Sequence, residues 1–415
     1  MRFLTEPQIE SIRERFGTPV YVYDQRTLEA AADQVLAFPA PCRLVGRFAM
    51  KALPTAAVLR IFDAKGLHVD ASSGFEAERA LRAGIAPEKI QITAQELPKD
   101  LKGLVQRGVL FNACSLHQLR RFGELFPGGE VSVRINPGLG SGHNNRTNVG
   151  GPSSSFGIWH EKLPEVQALA REFDLTISGL HTHIGSGGDP EVWQRCAALT
   201  LAIAKQLPDL TRLSLGGGFK VARMPDEKAA DLQAIGRTLS PSIAQFLKAR
   251  GREDFQLEIE PGTFLVALAG AIVCEIIDLV DTGSNGHRFL KIDSGMTELL
   301  RPALYGAQHP ITVVPHGRSA SGEADDYLVV GHCCESGDIL TPAPGDPEGL
   351  TPRRLARAEI GDTVVIDGSG AYASGMAASN YNAFPKAAEV LIERDGTARL
   401  IRARQSLAQS LENEL

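Results

Sequence analysis

One pattern repeats between residues 43 and 262: a short apolar run that ends in small or polar residues, followed by a segment with helical periodicity. The apolar runs lie at residues 43–52, 66–73, 89–95, 110–115, 130–137, 177–186, 212–219 and 255–262. Strands that are apolar throughout and alternate with helices are typical of a parallel sheet covered on both faces. Eight such units over about 220 residues match an α/β fold of the (βα)8, TIM-type barrel class. An open doubly wound sheet is the main alternative.

After residue 270 the pattern changes. Helical periodicity becomes rare, and β-branched runs such as HRFLKIDS, DDYLVVGH and GDTVVIDG appear at turn-like spacing. These runs predict a second, mostly antiparallel β domain, either a small barrel or a sandwich. The alternating run TPVYVYD precedes the first helix of the barrel and is assigned to the same β domain. We therefore predict a barrel over residues 27–270 and a β domain made of residues 1–26 and 271–415.

Composition restricts the possible partners. The 415 residues carry a formal net charge of -6 without a basic stretch interleaved with aromatic residues, which argues against a nucleic-acid partner. No apolar run approaches the roughly 18 residues of a membrane span. The six cysteines lack the spacing of a disulfide framework, and the sequence contains neither CxxC nor HExxH. We predict a cytoplasmic chain with no membrane segment and no metal site.

Lys51 stands at the end of the first predicted barrel strand. In barrels of this class the catalytic groups lie at the carboxyl ends of the strands and in the loops that follow. A lysine at the end of an apolar strand is costly unless it is paired, has a lowered pKa, or is neutralised covalently as a Schiff base. Position alone leaves two alternatives open: a Schiff base with a carbonyl cofactor, or an ion pair with Asp70 near the end of the second strand.

The run Gly216, Gly217 and Gly218 ends the seventh predicted strand. Because glycines have no side chain, their backbone N–H groups can approach a phosphate closely, and late barrel loops are a common phosphate site. Ser186, which follows a glycine after the sixth strand, would add a hydroxyl group. The alternative is a tight turn between a strand and a helix.

Glu260 ends the eighth predicted strand. A carboxylate there can bond a protonated pyridine nitrogen and keep an aromatic cofactor electron-poor. The alternative is a salt bridge to Arg134. His183, at the end of the sixth strand, can stack on a flat cofactor ring, although a lone histidine is more often structural.

Two further motifs fall in the predicted β domain. In GHCCESGD (331–338) a cysteine and a glutamate would supply a proton donor and a carboxylate for an ammonium group, or simply form a tight turn with a buried cysteine. In GMTELLRPALYGAQH (295–309), Arg301 and Tyr305 are candidate carboxylate binders, or part of a surface helix.

An ordered set of short strings carries a family resemblance. FAMKA, HVDASSGFE, GLHTHIGS, LGGGF, IEPG, RPALY, CCESGD and GAYASGMAASNYN occur in one order within residues 18–405. Together they resemble the fold-type III pyridoxal phosphate-dependent decarboxylases, which include diaminopimelate, ornithine and arginine decarboxylases and share the architecture of alanine racemase. The last three strings look most like the diaminopimelate decarboxylases. The resemblance implies pyridoxal 5'-phosphate as cofactor and decarboxylation of meso-2,6-diaminopimelate to L-lysine and CO2 as reaction.

The resemblance also implies roles for individual residues. Lys51 is implied as the Schiff-base lysine, Glu260 as the partner of the ring nitrogen, and Cys334 as the proton donor to the carbanion. The other implied cofactor contacts are Asp70, His183, Ser186, Gly217, Gly218, Gly262, Thr263 and Tyr372, of which His183 stacks on the ring. The implied substrate contacts are Arg301, Tyr305, Glu335 and Tyr372. In this family the cysteine loop enters the active site of the neighbouring subunit, which implies a homodimer with shared active sites.

The chain departs from the family pattern at three places. The family's EPGR reads EPGT here, so Thr263 cannot supply a guanidinium group to the phosphate or to a substrate carboxylate. The family's Lys-Phe-Gly is replaced by SSSFG near residue 155, and the preceding loop 138–155, rich in Gly, Asn and Ser, predicts a mobile lid. NYNAFPKAAEV lacks the arginines that usually follow its Tyr-Asn pair.

These departures leave one main alternative function: a sister decarboxylase that acts on ornithine, arginine, lysine or a carboxylated polyamine. The Cys-Glu-Ser string disfavours an amino-acid racemase. The presence of both Lys51 and Cys334 disfavours a non-enzymatic homologue.

Overall fold

A computed structural model of the chain describes residues 1–139, 150–183, 187–252, 254–319 and 321–415. The chain divides into two units. The barrel unit contains residues 29–221 and 228–265, and the β unit contains residues 1–28, 222–227 and 266–415. The sequence alone placed the segment 222–227 within the barrel range. It groups with the β unit because Arg223 Nε donates to the carbonyl of Gly368 at 3.0 Å and Arg2 Nη2 donates to the carbonyl of Ala222 at 3.1 Å.

The elements of the first two-thirds of the chain follow the predicted alternation. The chain begins with helix α1 (Glu6–Phe16), strand β1 (Val20–Asp24) and helix α2 (Gln25–Leu36). The strands of the barrel unit are β2 (Arg43–Ala49), β3 (His68–Ala71), β4 (Ile90–Ile92), β5 (Leu110–Ala113), β6 (Glu130–Asn136), β7 (Ile158–Trp159), β8 (Thr176–His181), β9 (Arg212–Ser214) and β10 (Gln256–Ile259). The helices in the same stretch are α3 (Ala56–Lys65), α4 (Gly74–Arg82), α5 (Leu101–Gln106), α6 (Leu116–Leu125), α7 (Leu163–Glu172), α8 (Pro190–Ala204), α9 (Leu232–Arg250) and α10 (Thr263–Val266).

Eight parallel strands close the barrel. In hydrogen-bonding order they run β2, β3, β4, β5, β6, β8, β9 and β10, and β10 pairs with β2 to complete the ring. The short strand β7 is an addition that pairs in parallel with β6. An open sheet would end in two unpaired edges, so the predicted (βα)8 barrel is confirmed and the doubly wound alternative is wrong.

Side-chain caps fix the loops that follow the barrel strands. The hydroxyl of Ser73 accepts the backbone N–H of Glu76 at 3.0 Å, and Glu76 Oε2 accepts the N–H of Ser72 at 2.7 Å. After β5, the hydroxyl of Ser115 accepts the N–H of Gln118 at 3.1 Å. Because each cap satisfies N–H groups that a helix leaves unpaired at its start, α4 and α6 begin directly behind the carboxyl ends of β3 and β5.

A buried ion pair joins two neighbouring strands of the barrel. Arg47 on β2 and Glu258 on β10 are 1% and 2% exposed, with Nε–Oε2 at 2.8 Å and Nη2–Oε1 at 3.0 Å. Burial alone would raise the pKa of Glu258, but the two-pronged contact with Arg47 lowers that pKa to about 2. Glu260, the predicted site residue, lies two residues after Glu258. Because side chains two residues apart in a strand point to the same side, the position of Glu258 in β10 also fixes the side on which Glu260 lies.

The β unit is built on a second sheet. Its strands are β11 (Gly270–Asp281), β12 (Arg288–Ile292), β13 (Ile311–Val314), β14 (Ala324–Val330), β15 (Pro342–Ala343), β16 (Asp346–Leu350), β17 (Arg353–Ala356), β18 (Thr363–Asp367), β19 (Ala388–Ile392) and β20 (Ala398–Arg402). Its further helices are α11 (Arg301–Tyr305) and α12 (Leu407–Ser410). The main path runs β17, β14, β12, β11, β1, β19, β20, with β18 pairing both β11 and β13, while β15 and β16 form a separate hairpin.

Most pairings of this sheet are antiparallel, which confirms the predicted second domain type. The exceptions are β1 with β19 and β12 with β14, which run parallel. Strand β1 lies inside the sheet between β11 and β19. One face of this region packs on helix α1 through Ile9 and Ile12, each 1% exposed, so the N-terminal residues form part of the core of the β unit.

Candidate active site

Four of the predicted site residues lie close together in the barrel unit. Lys51 lies in the 3-10 turn directly after β2, Asp70 in β3, His183 two residues after β8, and Glu260 directly after β10. The charge of Lys51 influences the pKa of both Asp70 and His183, and the charge of Glu260 influences that of Asp70. We call these four residues, with the run Gly216–Gly218, the barrel cluster.

The side chain of Lys51 is exposed. It forms no ion pair with any residue within the described ranges, so the alternative pairing with Asp70 is not formed. Asp70 is 6% exposed, and its Oδ1 has no hydrogen-bond partner among the described residues. The amine is therefore accessible to a ligand that enters from the strand ends.

Glu260 keeps its charge although it is only 6% exposed. Its Oε1 accepts the hydroxyl of Ser214 at 2.7 Å, and its Oε2 lies 2.9 Å from His181 Nε2. Burial would raise the pKa of Glu260, but His181 and Ser214 outweigh it and hold the pKa below its ordinary value. The alternative salt bridge to Arg134 is not formed, since the Arg134 guanidinium instead lies 5.1 Å from the ring centre of Phe156.

The pKa of Asp70 shifts in the opposite direction to that of Glu260. Burial, and then the charge of Glu260, raise the pKa of Asp70 well above the ordinary value. A charge on one of two neighbouring carboxyl groups disfavours ionisation of the other. The negative charge of the barrel cluster is therefore favoured on Glu260 and disfavoured on Asp70.

His183 is neutral and oriented by the glycine run. Its Nδ1 accepts the backbone N–H of Gly217 at 2.7 Å, which places the ring proton on Nε2. Burial, and then the charge of Arg134, lower the pKa of His183 well below its ordinary value. Because the hydrogen bond from Gly217 fixes the ring, His183 offers a flat, uncharged face on which an aromatic cofactor can stack.

The conformation and surroundings of the glycine run favour glycine at each position. A Cβ on Gly217 would lie 2.0 Å from the carbonyl oxygen of Glu260, and Gly216 and Gly218 have φ angles of +69° and +107°. Gly262 is closely surrounded as well, because a Cβ there would lie 3.3 Å from the Cβ of Ala49. The backbone is therefore bare at the ends of β9 and β10, as a phosphate cradle requires.

Two predictions fall wholly or partly outside the described residues. Ser186 is one of them. The other is the loop 138–155, of which residues 140–149 lie outside the described ranges. Both stay predictions.

Three predicted substrate contacts lie together in the β unit. The guanidinium carbon of Arg301, at the start of α11, is 5.8 Å from the ring centre of Tyr305 and 6.0 Å from that of Tyr372. Tyr372 has a φ of 54°, a left-handed conformation that is uncommon for a residue with a large side chain. We call these three residues the arginine–tyrosine cluster.

The segment 331–338, which we call the cysteine turn, treats its two cysteines differently. Burial, and then Asp338, raise the pKa of Cys333 to about 12, so this thiol stays protonated. Cys334 is exposed, and its backbone N–H donates to Asn382 Oδ1 at 2.7 Å. The alternative of a tight turn with a buried cysteine is matched only in part, because Cys333 is half-buried and Cys334 is exposed.

Glu335 is exposed next to Cys334 and held in its charged form. Its Oε1 accepts the N–H of Gly337 at 3.1 Å and its Oε2 accepts the hydroxyl of Tyr381 at 3.3 Å. These two donors, Gly337 first, lower the pKa of Glu335. The cysteine turn therefore presents a thiol and a carboxylate side by side.

Sequence reasoning missed Ser214 and assigned His181 no role. Both contact the Glu260 carboxylate, and both stand at strand ends next to residues that were identified. The available signal was a polar residue in an otherwise apolar run, which marks a group that needs a partner.

The family description "Pyridoxal-dependent decarboxylase, pyridoxal binding domain" matches residues 26–267 of the chain. The chain belongs to this family. The matched range covers the whole barrel cluster, and pyridoxal phosphate is the cofactor of this pyridoxal-dependent decarboxylase. The arginine–tyrosine cluster and the cysteine turn lie beyond the matched range.

Relatives of this pyridoxal-dependent decarboxylase extend the likeness over nearly the full length. A diaminopimelate decarboxylase of Streptomyces coelicolor is 37% identical, over 99% of this chain and 92% of the relative. A crystal structure of diaminopimelate decarboxylase has a TM-score of 0.92 at 34% identity and covers 99% and 97% of the two chains. The Helicobacter pylori diaminopimelate decarboxylase complexed with L-lysine has a TM-score of 0.83 at 26% identity, with 98% of each chain covered.

The residues present fit the cofactor of a pyridoxal-dependent decarboxylase. A phosphate needs bare backbone, and Gly216 and Gly217 have no room for a side chain. A protonated ring nitrogen needs an ionised carboxylate, and Glu260 is held in that form. A covalent attachment needs an accessible amine, which Lys51 provides. Within the described ranges no helix is long and apolar enough to cross a membrane, and no group of three His, Cys, Asp or Glu residues could hold a metal ion.

Proposed function

We propose that the chain catalyses the decarboxylation of meso-2,6-diaminopimelate to L-lysine and CO2. The observation that carries this choice of substrate is the 37% identity with a diaminopimelate decarboxylase over 99% of the chain. The arginine–tyrosine cluster supports it, because a guanidinium flanked by two tyrosines suits a substrate with a second carboxylate. The relative complexed with L-lysine supports the product side of the same reaction.

In this proposal the barrel cluster holds and tunes the cofactor. The bound cofactor supplies an electron sink for the pair of electrons that loss of CO2 leaves on the α-carbon. Lys51 attaches the cofactor through its amine. Glu260, beside His181 and Ser214, would hold a proton on the ring nitrogen, and His183 would offer its neutral face to the ring. The other proposed cofactor contacts are Asp70, Ser186, Gly217, Gly218, Gly262, Thr263 and Tyr372.

The cysteine turn completes the reaction in this proposal. After CO2 leaves, the thiol of Cys334 gives its proton to the α-carbon, and the thiolate takes a proton back from water. The exposure of Cys334 supports this role. The adjacent Glu335 binds an ammonium group of the substrate, for which its low pKa is suited. Arg301, Tyr305 and Tyr372 hold the carboxylate at the other end of the substrate.

We further propose a homodimer in which Cys334 of one copy serves the barrel cluster of the other, and a cytoplasmic location. The resemblance of the CCESGD string supports the first. The six cysteines, all free, support the second, because cytoplasmic thiols are kept reduced.

A substrate comparison tests the function. CO2 release is measured from meso-diaminopimelate, lysine, ornithine and arginine with the purified, cofactor-loaded enzyme. We expect diaminopimelate to be preferred, and preferred release from ornithine, arginine or lysine would show a sister decarboxylase. Borohydride reduction followed by peptide mapping tests the attachment point. A reduced cofactor on any lysine other than Lys51 would overturn the assignment of Lys51.

Mixed dimers test the shared active site. Lys51→Ala removes the barrel half of a site, and Cys334→Ala removes the half that the partner supplies. In a two-fold dimer, a mixed pair has one site with both lesions and one site with neither, so random mixing should restore about a quarter of wild-type activity. Subunit exchange is confirmed by sizing tagged subunits, and folding by cofactor absorbance. Folded, exchanged dimers with no more activity than the two parents would show that Cys334 acts within its own chain or does not act.

A further inference from the structure

Arg223 has no role in the proposed reaction as described so far. It lies on the segment 222–227 of the β unit and is 8% exposed. Its Nε donates to the carbonyl of Gly368 at 3.0 Å, but its Nη2 is buried and has no hydrogen-bond partner among the described residues. An unsatisfied donor on a buried charged group is costly, so this guanidinium needs an acceptor.

Arg301 lies close enough to Arg223 for its charge to act on the Arg223 guanidinium, and it has the same need. Its Nε is also buried without a hydrogen-bond partner among the described residues. Burial, and then the charge of Arg301, lower the pKa of Arg223 to about 9, which still leaves Arg223 protonated at neutral pH. Tyr372 of the arginine–tyrosine cluster lies near the pair, because its ring centre is 6.0 Å from the guanidinium carbon of Arg301 and it influences the pKa of both arginines.

The hydrogen bonds described for the nearby carboxylate of Glu227 come from backbone groups. Glu227 Oε2 accepts the backbone N–H groups of Arg223 at 2.7 Å and of Met224 at 3.0 Å. The negative charge of Glu227 raises the pKa of both Arg223 and Arg301, so one carboxylate faces two guanidinium groups. The pair therefore keeps an excess of positive charge with buried N–H donors, which is the donor set that a carboxylate accepts best.

We propose that Arg223 and Arg301 together bind the second carboxylate of the substrate. This inference rests on the proposed function. Arg223 then supplies the second guanidinium group that the family's EPGR string provides and that Thr263 does not. Arg223 is a specificity residue and touches no reacting atom. An amino acid without a second carboxylate would leave both guanidinium groups unpaired, so the pair discriminates against lysine and ornithine.

The experiment compares Arg223→Gln with Arg223→Lys and with a structural control. Arg2→Gln is the control, because Arg2 Nη2 holds the same segment through the carbonyls of Ala222 and Arg223 at 3.1 Å and 2.5 Å without donating to a ligand. Steady-state kinetics with meso-diaminopimelate give kcat and KM for each holoenzyme. Calorimetry with pimelate, a dicarboxylate of the same chain length, and with 6-aminohexanoate, a monocarboxylate, measures binding without turnover.

We expect Arg223→Gln to raise KM and the Kd of pimelate by roughly 10- to 100-fold, the range for hydrogen bonds to charged groups, with kcat within about 3-fold. Arg223→Lys should recover part of the loss, because it keeps the charge but not the fork of donors. Arg2→Gln should change neither constant by more than about 3-fold, and 6-aminohexanoate should bind all variants alike.

Two results would overturn the inference. The first is an unchanged Kd for pimelate in Arg223→Gln. The second is an equal loss in Arg2→Gln, which would mean that Arg223 only anchors the segment 222–227. A wild-type enzyme that binds pimelate through Arg223 but releases no CO2 from diaminopimelate would refute the proposed function and leave the arginine pair as a dicarboxylate site.

Discussion

Two buried glutamates, one in each unit, have opposite ionisation behaviour. Glu258 in the barrel unit is 2% exposed and Glu298 in the β unit is 1% exposed. Arg47 outweighs burial at Glu258 and lowers its pKa to about 2. At Glu298 burial dominates over the hydroxyl groups of Ser294 and Thr297, and the pKa rises to about 7. The guanidinium contact keeps buried Glu258 charged, whereas the hydroxyl and backbone donors around Glu298 do not offset its burial.

This difference matters because the proposed chemistry needs a permanent negative charge. Glu260 resembles Glu258, since His181 and Ser214 hold its pKa low despite burial. Asp70 lies in the same barrel but resembles Glu298, because burial and the charge of Glu260 raise its pKa. The choice of partner therefore decides which buried carboxylate keeps its charge.

The largest effect is expected at Glu260. Glu260→Gln keeps the size of the side chain and removes the charge that would hold a proton on the ring nitrogen. We expect cofactor absorbance to be retained and kcat to fall by roughly two to four orders of magnitude, the scale of losing electrostatic or acid–base assistance. Steady-state kinetics measure this change. A near-normal kcat would mean that Glu260 is structural, like Glu258.

The second effect concerns the stability of the barrel unit. Glu258→Gln leaves Arg47 as a buried charge without its partner, and we expect the free energy of unfolding to fall by about 3–5 kcal/mol. Denaturant unfolding measures the loss, and kcat of the folded fraction should stay within several-fold of wild type. The double variant Arg47→Met/Glu258→Leu should recover part of the stability, because the buried charge of Arg47 is then removed together with that of Glu258. A single variant as stable as wild type would show that the pair contributes nothing.

The smallest effect is a change in pH dependence caused by Glu298. Its folded-state pKa of about 7 lies above the ordinary value of 4.5, so the folded state binds the proton more tightly. The stability from this group is therefore complete below about pH 4.5 and is lost as the pH rises through 7, by about 3 kcal/mol. Glu298→Gln cannot titrate, and its stability relative to wild type should increase by about that amount between pH 4.5 and pH 8. Urea unfolding of both proteins at the two pH values measures this change. If the difference in unfolding free energy between Glu298→Gln and wild type is the same at pH 4.5 and pH 8, the assignment is wrong.

The barrel could be predicted from the sequence because its signal is local and repeated. Each apolar run is followed by a helical segment, and eight repeats fix both the number of strands and the parallel direction. The pairing of β1 with β19 could not be predicted, because a parallel contact between Val20 and Ala388 depends on the whole intervening chain. The presence of strands could be predicted in both units, but the order of the strands in the sheet could be predicted only in the barrel.

The candidate site could be predicted to a similar extent. Lys51 and Glu260 stand at strand ends, where the barrel rule places functional groups. The partners of Glu260 depend on which strands are neighbours, so His181 and Ser214 could not be assigned from the sequence. Arg223 lies in an irregular segment without periodicity, and only the structure shows that its Nη2 is buried next to Arg301.

The place of β1 inside its sheet has a consequence for how the protein is made. Tyr21 pairs with Ile272 on β11 and with Glu389 on β19, so both neighbours of this strand belong to residues that the ribosome adds later. Strands β2 to β10 are all translated before β11, and the barrel can therefore close while β1 still has no partner. The edge of VYVYD that pairs with β19 stays open to chaperones, or to other nascent chains, until translation has passed Ile392.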